Sequence, residues 1–433
     1  MSHEISRRTA LKGAALAAAM GGALTANAAQ DPPRKRLRVG VIGAGGKGWS
    51  GMQDAAQFGD IVAIADVDSA ARAKAMAEHP RANTFEDFRL MFEAMRRQMD
   101  AVIISTPDHT HAVAAAMALR HRLHTYCEKP LCRTISEVRQ LMRLAKEAGV
   151  ATQMGNQSTA STTMRQVAAL IKSGHFGAVK QVHLWTDRAG GWWKQGIDRP
   201  APAKAPKNLN FDLWLGPRPE REFGEGYHPF HWRGFWDFGT GSLGDMGCHI
   251  FNTPFMALDL RDPISVQATT SGHNRESFPA WAEVHYEFGK RGDRGPLDLF
   301  WYDGGRRPPA GLVPDKTYEG NGVIIICEKG TIYSPNEMNR EFSISGGGSI
   351  PDVEVDVSPG HMAEFFRAAT GGPRAKSDIV AYSGPLTETV LLGNLAIWAD
   401  GPRLEWDAKA MAVKGKPEYD ALLRPTFRKG YKL

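Results

Sequence analysis

Val39-Gly40-Val41-Ile42-Gly43-Ala44-Gly45-Gly46-Lys47-Gly48 reads as a strand, a glycine turn and the start of a helix. An apolar run leading into a G-x-G-x-x-G spacing is the fingerprint of a βαβ unit that holds a dinucleotide. Gly43 permits the tight turn out of the strand, Gly45 lets the backbone approach a pyrophosphate, and Gly48 lets the helix lie close to the strand. Gly46 and Lys47 open that helix, whose unpaired N–H groups and positive dipole end suit phosphate. The chain holds 46 glycines, so chance matches to this spacing occur and context must decide. A second apolar strand, Asp60-Ile61-Val62-Ala63-Ile64-Ala65-Asp66, follows after a helix-length interval. It ends in a carboxylate about 20 residues beyond the glycines, where a ribose hydroxyl is bound in such units. An acid at that place favours NAD over NADP, because it repels a 2′-phosphate. The alternative task, capping the next helix, fits Asp68 better than Asp66.

Around this unit, strand-like runs at 37–43, 61–66, 101–105, 124–127 and 150–154 alternate with helical patterns at 46–57, 69–78, 109–118 and 135–148. Such alternation predicts an α/β fold, a doubly wound parallel sheet of Rossmann type with right-handed crossovers. Beyond residue 155 the pattern changes. A helix at 163–173 leads to an alternating strand at 179–185, and a tract rich in Trp, Pro and Gly fills 190–244. Strands at 264–270, 282–288, 297–301 and 323–327 lack intervening helices, and helices at 361–369 and 387–398 come late. That is an α+β arrangement on a largely antiparallel open sheet. The expected division is a dinucleotide-binding domain at 37–155 and a C-terminal substrate and oligomerisation domain at 156–433.

Residues 1–28 read as an export signal. Ser6-Arg7-Arg8-Thr9-Ala10-Leu11-Lys12 resembles a twin-arginine translocation motif, with Ala10 where an aromatic residue is usual. The apolar run at 13–24 is too short for a permanent membrane anchor, and Ala26-Asn27-Ala28 supplies a cleavage site. Residues 29–36 form a short linker arm stiffened by Pro32-Pro33. The expected location is the periplasm, reached by the twin-arginine route. A net charge of +6 is modest for 433 residues, and the absence of a basic stripe interleaved with aromatics argues against a nucleic-acid partner. Cys127, Cys132, Cys248 and Cys327 contain no C-x-x-C pair and read as buried thiols.

Two segments carry candidate chemistry. Glu128-Lys129-Pro130 stands at the C-terminal end of the fifth strand, outside which ligands of such sheets bind. A lysine there suits proton exchange beside a nicotinamide, and the alternative is a surface lysine paired with Glu128. Asp245 and His249 are four residues apart in a glycine-rich segment, so on a helix they share a face. Either suits orienting a substrate hydroxyl or exchanging its proton. The alternatives are a capping aspartate and a core histidine.

The glycine loop, Glu128-Lys129-Pro130 and the Asp-x-x-x-His helix, in this order, resemble the Gfo/Idh/MocA family of sugar and polyol oxidoreductases. The resemblance runs from about Leu37 to Trp398. It implies Lys129, Asp245 and His249 as the catalytic group, with Thr106, Pro107 and His111 lining the nicotinamide side. It also implies homo-oligomers formed through the open C-terminal sheet. Asn156 and Gln157 stand where better-known members carry an aromatic-Arg pattern, so the pocket floor departs from theirs.

The tract holding Trp192, Trp193, His228, His231, Trp232 and Arg233 offers aromatic faces and donors suited to a pyranose ring, or simply anchors a loop. His228 and His231 with Asp245 and His249 form too open a set to argue for a metal. The expected activity is hydride transfer between a sugar or glycoside hydroxyl and a nicotinamide, NAD rather than NADP. Two other readings stand beside it: glycoside cleavage through transient oxidation and elimination, and a non-catalytic sugar-binding protein. Export would separate the enzyme from the free cofactor pool, so NAD is expected to travel bound and to be recycled in place.

Overall fold

The apolar runs flanking the glycine loop become a six-stranded parallel sheet. The computed structural model describes residues 36–318 and 320–433 and the backbone of His3–Glu4 (β1); the rest of the expected export signal and arm lies outside the described residues. The strands are β2 (Leu37–Ile42), β3 (Gly59–Ala65), β4 (Asn83–Phe85), β5 (Ala101–Ile104), β6 (His124–Cys127) and β7 (Thr152–Met154). They lie in the order β4-β3-β2-β5-β6-β7, each pair parallel. The order reverses between β2 and β5, and the glycine loop leaves β2 at this switch point, where open α/β sheets bind ligands. Val39, Val41 and all of β5 are buried, as strands covered on both faces must be.

Local signals bound the crossover helices. Asp68 accepts the amides of Ala70 and Ala71 and caps Ser69–Glu78, the task expected of it rather than of Asp66. Thr134 and Glu137 form a capping box at the head of Ile135–Ala148, and Gly149 ends it at φ +66°. The three-residue β4 and the helix Phe88–Met95 escaped sequence reading, because three half-exposed residues show no period.

The second sheet uses β8 (Val179–Trp185), β9 (Ser265–Thr270), β10 (Ala282–Phe288), β11 (Leu297–Tyr302), β12 (Gly322–Cys327), β13 (Gly330–Ser334), β14 (Ser343–Gly346), β15 (Leu404–Asp407) and β16 (Ala412–Val413). Its order is β1-β14-β13-β12-β8-β11-β10-β9-β15-β16. Neighbours are antiparallel except β8 with β11, which run parallel. The strands after β12 were not legible, being two to five residues long. The helices Gly241–Ile250 and Gly384–Ala399 pack on one another and against this sheet. Gly384–Ala399 is apolar nearly all round and buried for most of its length.

One late helix crosses the division expected at residue 155. Met362, Phe365 and Phe366 of His361–Ala369 pack in one core with Val39, Val41, Ile64 and Ile103 of the first sheet. Among the described residues no helix is long and apolar enough to cross a membrane.

Candidate active site

Steric demand explains the glycines of the loop. Gly43 has φ +84°, and a Cβ there would stand 2.7 Å from the Ser105 carbonyl oxygen. A Cβ at Gly48 would collide with the Gly43 carbonyl oxygen, so the helix Lys47–Ala56 approaches its strand only without a side chain. Gly46, at φ +50°, has nothing within 4 Å of a built Cβ, which leaves the outer side of the loop open. Asp66 braces the loop from below: Oδ2 accepts the amides of Ala44 at 2.7 Å and Gly45 at 3.3 Å, and Oδ1 accepts that of Asp68 at 2.9 Å. Burial raises its pKa against these hydrogen bonds.

A cavity of about 570 Å³ runs from Gly43, Gly45, Gly46, Lys47 and Asp66 to Lys129 and Asp245. Its size suits a nucleotide with a small substrate. Thr106 and Pro107 line it, and Pro107 precedes the helix Asp108–Arg120. His111 does not line it. That imidazole is buried behind the wall, with Nδ1 2.8 Å from the Pro130 carbonyl oxygen and Nε2 2.7 Å from that of Thr106. Burial lowers its pKa, and a neutral ring has one N–H, so it donates to one of these two carbonyl oxygens and only packs against the other.

Lys129 is paired with Asp245 rather than with its neighbour Glu128. Its Nζ lies 2.9 Å from Asp245 Oδ1 and donates to the Asp245 carbonyl oxygen at 2.9 Å. Arg233 Nε adds a second contact to Asp245 Oδ1 at 3.2 Å. Burial would raise the Asp245 carboxyl, but Lys129 and Arg233 overcome this and hold it at about 2. Glu128 lines the cavity, accepts from Gln157 Nε2 at 3.0 Å and lies 3.8 Å from Lys47 Nζ.

Asp245 and His249 share the helix Gly241–Ile250, as their spacing required. His249 stands one turn behind Asp245, and its Nδ1 is enclosed with no partner among the described residues. Burial, with the Lys129 cation, pushes its pKa down to about 3.

The expected substrate residues divide. His228, Trp232 and Arg233 line the cavity, and the Arg233 guanidinium lies 4.2 Å from the Trp232 ring centre. The other five stand elsewhere. Trp193 is a core residue donating Nε1 to Gln195 at 3.0 Å, while Trp192 is 54% exposed beneath Arg188. Asn156 is fully buried and accepts from Ser377, Gln157 supports Glu128, and His231 is set back from the cavity with Nδ1 enclosed. Trp193 anchors the irregular tract by packing inward, whereas Trp192 stays in solvent, and Asn156 and Gln157, outside that tract, are taken up by hydrogen bonds to Ser377 and Glu128. Among the described residues no cluster of three or more His, Cys, Asp or Glu could hold a metal ion.

Sequence reading missed Asp108. This carboxyl lines the cavity, is 3% exposed and accepts from Thr240 Oγ1 at 2.7 Å. Burial pushes it up to about 7 against that hydrogen bond. An acid in the first turn of a helix is ordinary, so only the long-range contact marks it out. Trp214 and Phe230 also line the cavity unannounced.

The GFO/IDH/MocA oxidoreductase family matches residues 37–156 by its NAD-binding Rossmann fold and residues 160–293 by its C-terminal alpha/beta domain. The inositol 2-dehydrogenase of Rubrobacter xylanophilus is 34% identical over 119 residues, 27% of this chain and 33% of that protein. A glycosyl hydrolase family 109 protein of Solibacter usitatus is 30% identical over 159 residues, 33% of this chain and 36% of that protein. The chain therefore spans about a third of these relatives' length in each match. An inositol dehydrogenase homolog of Azotobacter vinelandii, solved with NAD+, superposes with a TM-score of 0.60 at 17% identity, covering 86% of this chain and 98% of that one, a likeness of fold. With a six-stranded parallel sheet, a glycine loop at its switch point and both family domains matched in order over more than half its length, the chain belongs to the GFO/IDH/MocA oxidoreductase family.

Proposed function

We propose that the protein transfers hydride between a hydroxyl of a sugar or glycoside and a tightly held NAD. The observation that carries this reading is the continuity of one cavity from the open glycine loop to the Lys129–Asp245 pair. The kinship with an inositol dehydrogenase supports a polyhydroxy substrate. Gly45, Gly46 and Lys47 would hold the pyrophosphate, Asp66 the ribose, and Thr106 and Pro107 the nicotinamide side. NAD, when bound there, supplies the two-electron acceptor for the hydride.

The chain's own groups handle the proton. Asp245 stays ionised and fixes the Lys129 ammonium, which donates a hydrogen bond to the reacting oxygen. His249, expected among the catalytic group, is buried and does not line the cavity, and at about 3 it holds a proton poorly. Asp108, at about 7, is the buried cavity group suited to keeping that proton. Asp108 is ionised above pH 7 and protonated below it, so kcat/KM should fall as pH drops through about 7. Asp108→Asn should flatten that limb of the profile, and an unchanged limb would remove Asp108 from proton handling.

The reading extends to export and cofactor retention. The twin-arginine-like leader supports a periplasmic enzyme that carries NAD out with it and resets it with a second substrate. Protein purified from the periplasm and denatured should release about one nicotinamide nucleotide per chain, as seen by absorbance; cofactor-free yet active protein would defeat the retention idea. The half-exposed sheet face bearing Glu283, His285 and Glu287 is the surface we assign to homo-oligomer contact.

A second reading is glycoside cleavage through transient oxidation and elimination, favoured by the match to the family 109 glycosyl hydrolase. Incubation with a panel of glycosides separates the two. Bound NADH that accumulates supports net oxidation, whereas aglycone released without NADH supports cleavage.

A further inference from the structure

A second cavity of about 370 Å³ shares no lining residue with the first. Arg133, Arg199, Arg218, Arg221 and Arg275 line it against two carboxylates, Asp237 and Glu276. Three of these arginines already occupy both acids. Arg218 and Arg221 hold Asp237, while Arg221 and Arg199 each reach Glu276 at 2.7 Å. Arg133 and Arg275 make no ion pair among the described residues. Arg133 is half-buried and donates Nη1 to the Trp236 carbonyl oxygen, and burial with the like charge of Arg218 lowers its pKa to about 10. It stays a cation at neutral pH; the carboxylates of Glu137, Asp237 and Asp108 act on it from beyond ion-pair distance, so an anion entering the recess would supply its first direct charged partner.

Trp236, Phe278 and Trp398 stand in the rest of the wall among aliphatic and small polar residues such as Leu391, Leu395 and Asn394. Trp236 stacks on Phe278 with ring centres 3.5 Å apart and meets Trp398 edge-on at 4.9 Å. Arg275 lies 5.2 Å from the Trp398 ring centre, on the open side of the recess. Guanidinium groups match phosphate and carboxylate oxygens in fork geometry, and indole faces pack against the C–H faces of a sugar. Neither group serves the proton handling at Lys129.

We propose that this recess is a second ligand site, binding a small anionic sugar, a sugar phosphate or a sugar acid, with its oxyanion on Arg133 and Arg275 and its carbon body against Trp236 and Trp398. Five arginines against two carboxylates set the sign of the charge, and the aromatic wall sets the organic character of the ligand.

Calorimetric titration of the full-length protein, saturated with NAD to occupy the nucleotide end of the first cavity, tests this. Glucose 6-phosphate or gluconate should bind saturably while glucose does not, and whichever anion binds more tightly names the oxyanion. Arg133→Gln and Arg275→Gln should each weaken that binding by about tenfold or more. Saturable binding of neither anion would overturn the proposal, as would equal affinity for glucose or unchanged affinity in the variants. Should Arg133→Gln fail to fold, the exposed Arg275→Gln decides alone. Inorganic phosphate binding as tightly as glucose 6-phosphate would refute the aromatic contribution. Loss of anion binding in Lys129→Ala, with binding unchanged in Arg275→Gln, would place the anion in the first cavity and refute the second site, without touching the oxidoreductase reading.

Discussion

Replacing Lys129 with alanine is expected to lower kcat by about 10³-fold while leaving bound NAD in place. The ammonium sits at the substrate end of the cavity, held by two oxygens of Asp245 at 2.9 Å. In the proposed mechanism its loss removes the donor that polarises the reacting oxygen and the positive charge that stabilises an alkoxide there. Structure should survive, because Asp245 keeps Arg233 at 3.2 Å and is not left as an unpaired buried charge. The nucleotide contacts proposed for the glycine loop, Asp66, Thr106 and Pro107 are untouched. The variant should therefore lose turnover far more than substrate affinity, which single-turnover reduction of the bound nicotinamide measures directly. Turnover within about threefold of the wild type would take Lys129 out of the mechanism.

Glu364→Gln is expected to destabilise the fold by about 2–3 kcal/mol, below the full cost of breaking a buried ion pair from one side because Arg165 keeps Asp356 Oδ2 at 3.3 Å. Arg165 and Glu364 have side chains 4% and 2% exposed, and the pair joins the helix Thr162–Lys172 to the helix His361–Ala369 that covers the first sheet. Arg165 also donates to the carbonyl oxygens of Thr159 at 2.9 Å and Asp356 at 2.8 Å, so its guanidinium cannot leave when its partner is neutralised. The thermal midpoint should fall by about 2–4 °C. Burial works to raise the Glu364 carboxyl, but its hydrogen bonds and Arg165 overcome this and hold it below the usual glutamate range. The stabilisation is thus complete at neutral pH and is lost as pH falls through that depressed value, so the variant should also be less acid-sensitive than the parent. A double change, Arg165→Met with Glu364→Leu, should restore most of the loss. An unchanged midpoint in Glu364→Gln would show that the pair does not join the two halves.

Several site residues were legible because their signals are local. Gly43 and Gly48 are demanded by a turn and a close approach within ten residues of chain, and Asp68 and Thr134 announce the helices they cap. Lys129 stood out because it closes a recognisable strand at a sheet end, and Asp245 with His249 because four residues is one helical turn. The aromatic tract shows where this stops. Adjacent Trp192 and Trp193 look alike in sequence, yet one lies under Arg188 in solvent and the other is core.

By itself the sequence determined the parallel sheet, the glycine loop at its switch point and the segments bearing Lys129, Asp245 and His249. Each follows from periodicity, steric demand or capping inside a single element. Only the tertiary structure decided that Lys129 pairs with Asp245 and not Glu128, that His111 braces the wall, and that Asp108 is the carboxyl held near neutrality. It alone set β8 beside β11 in parallel and returned the helix His361–Ala369 to the first sheet. Those outcomes depend on burial and, apart from His111 with its near neighbours Thr106 and Pro130, on partners more than 100 residues away, such as Thr240 for Asp108. Local pattern carries no record of dielectric or of distant charge, and these are what turn a row of residues into a site.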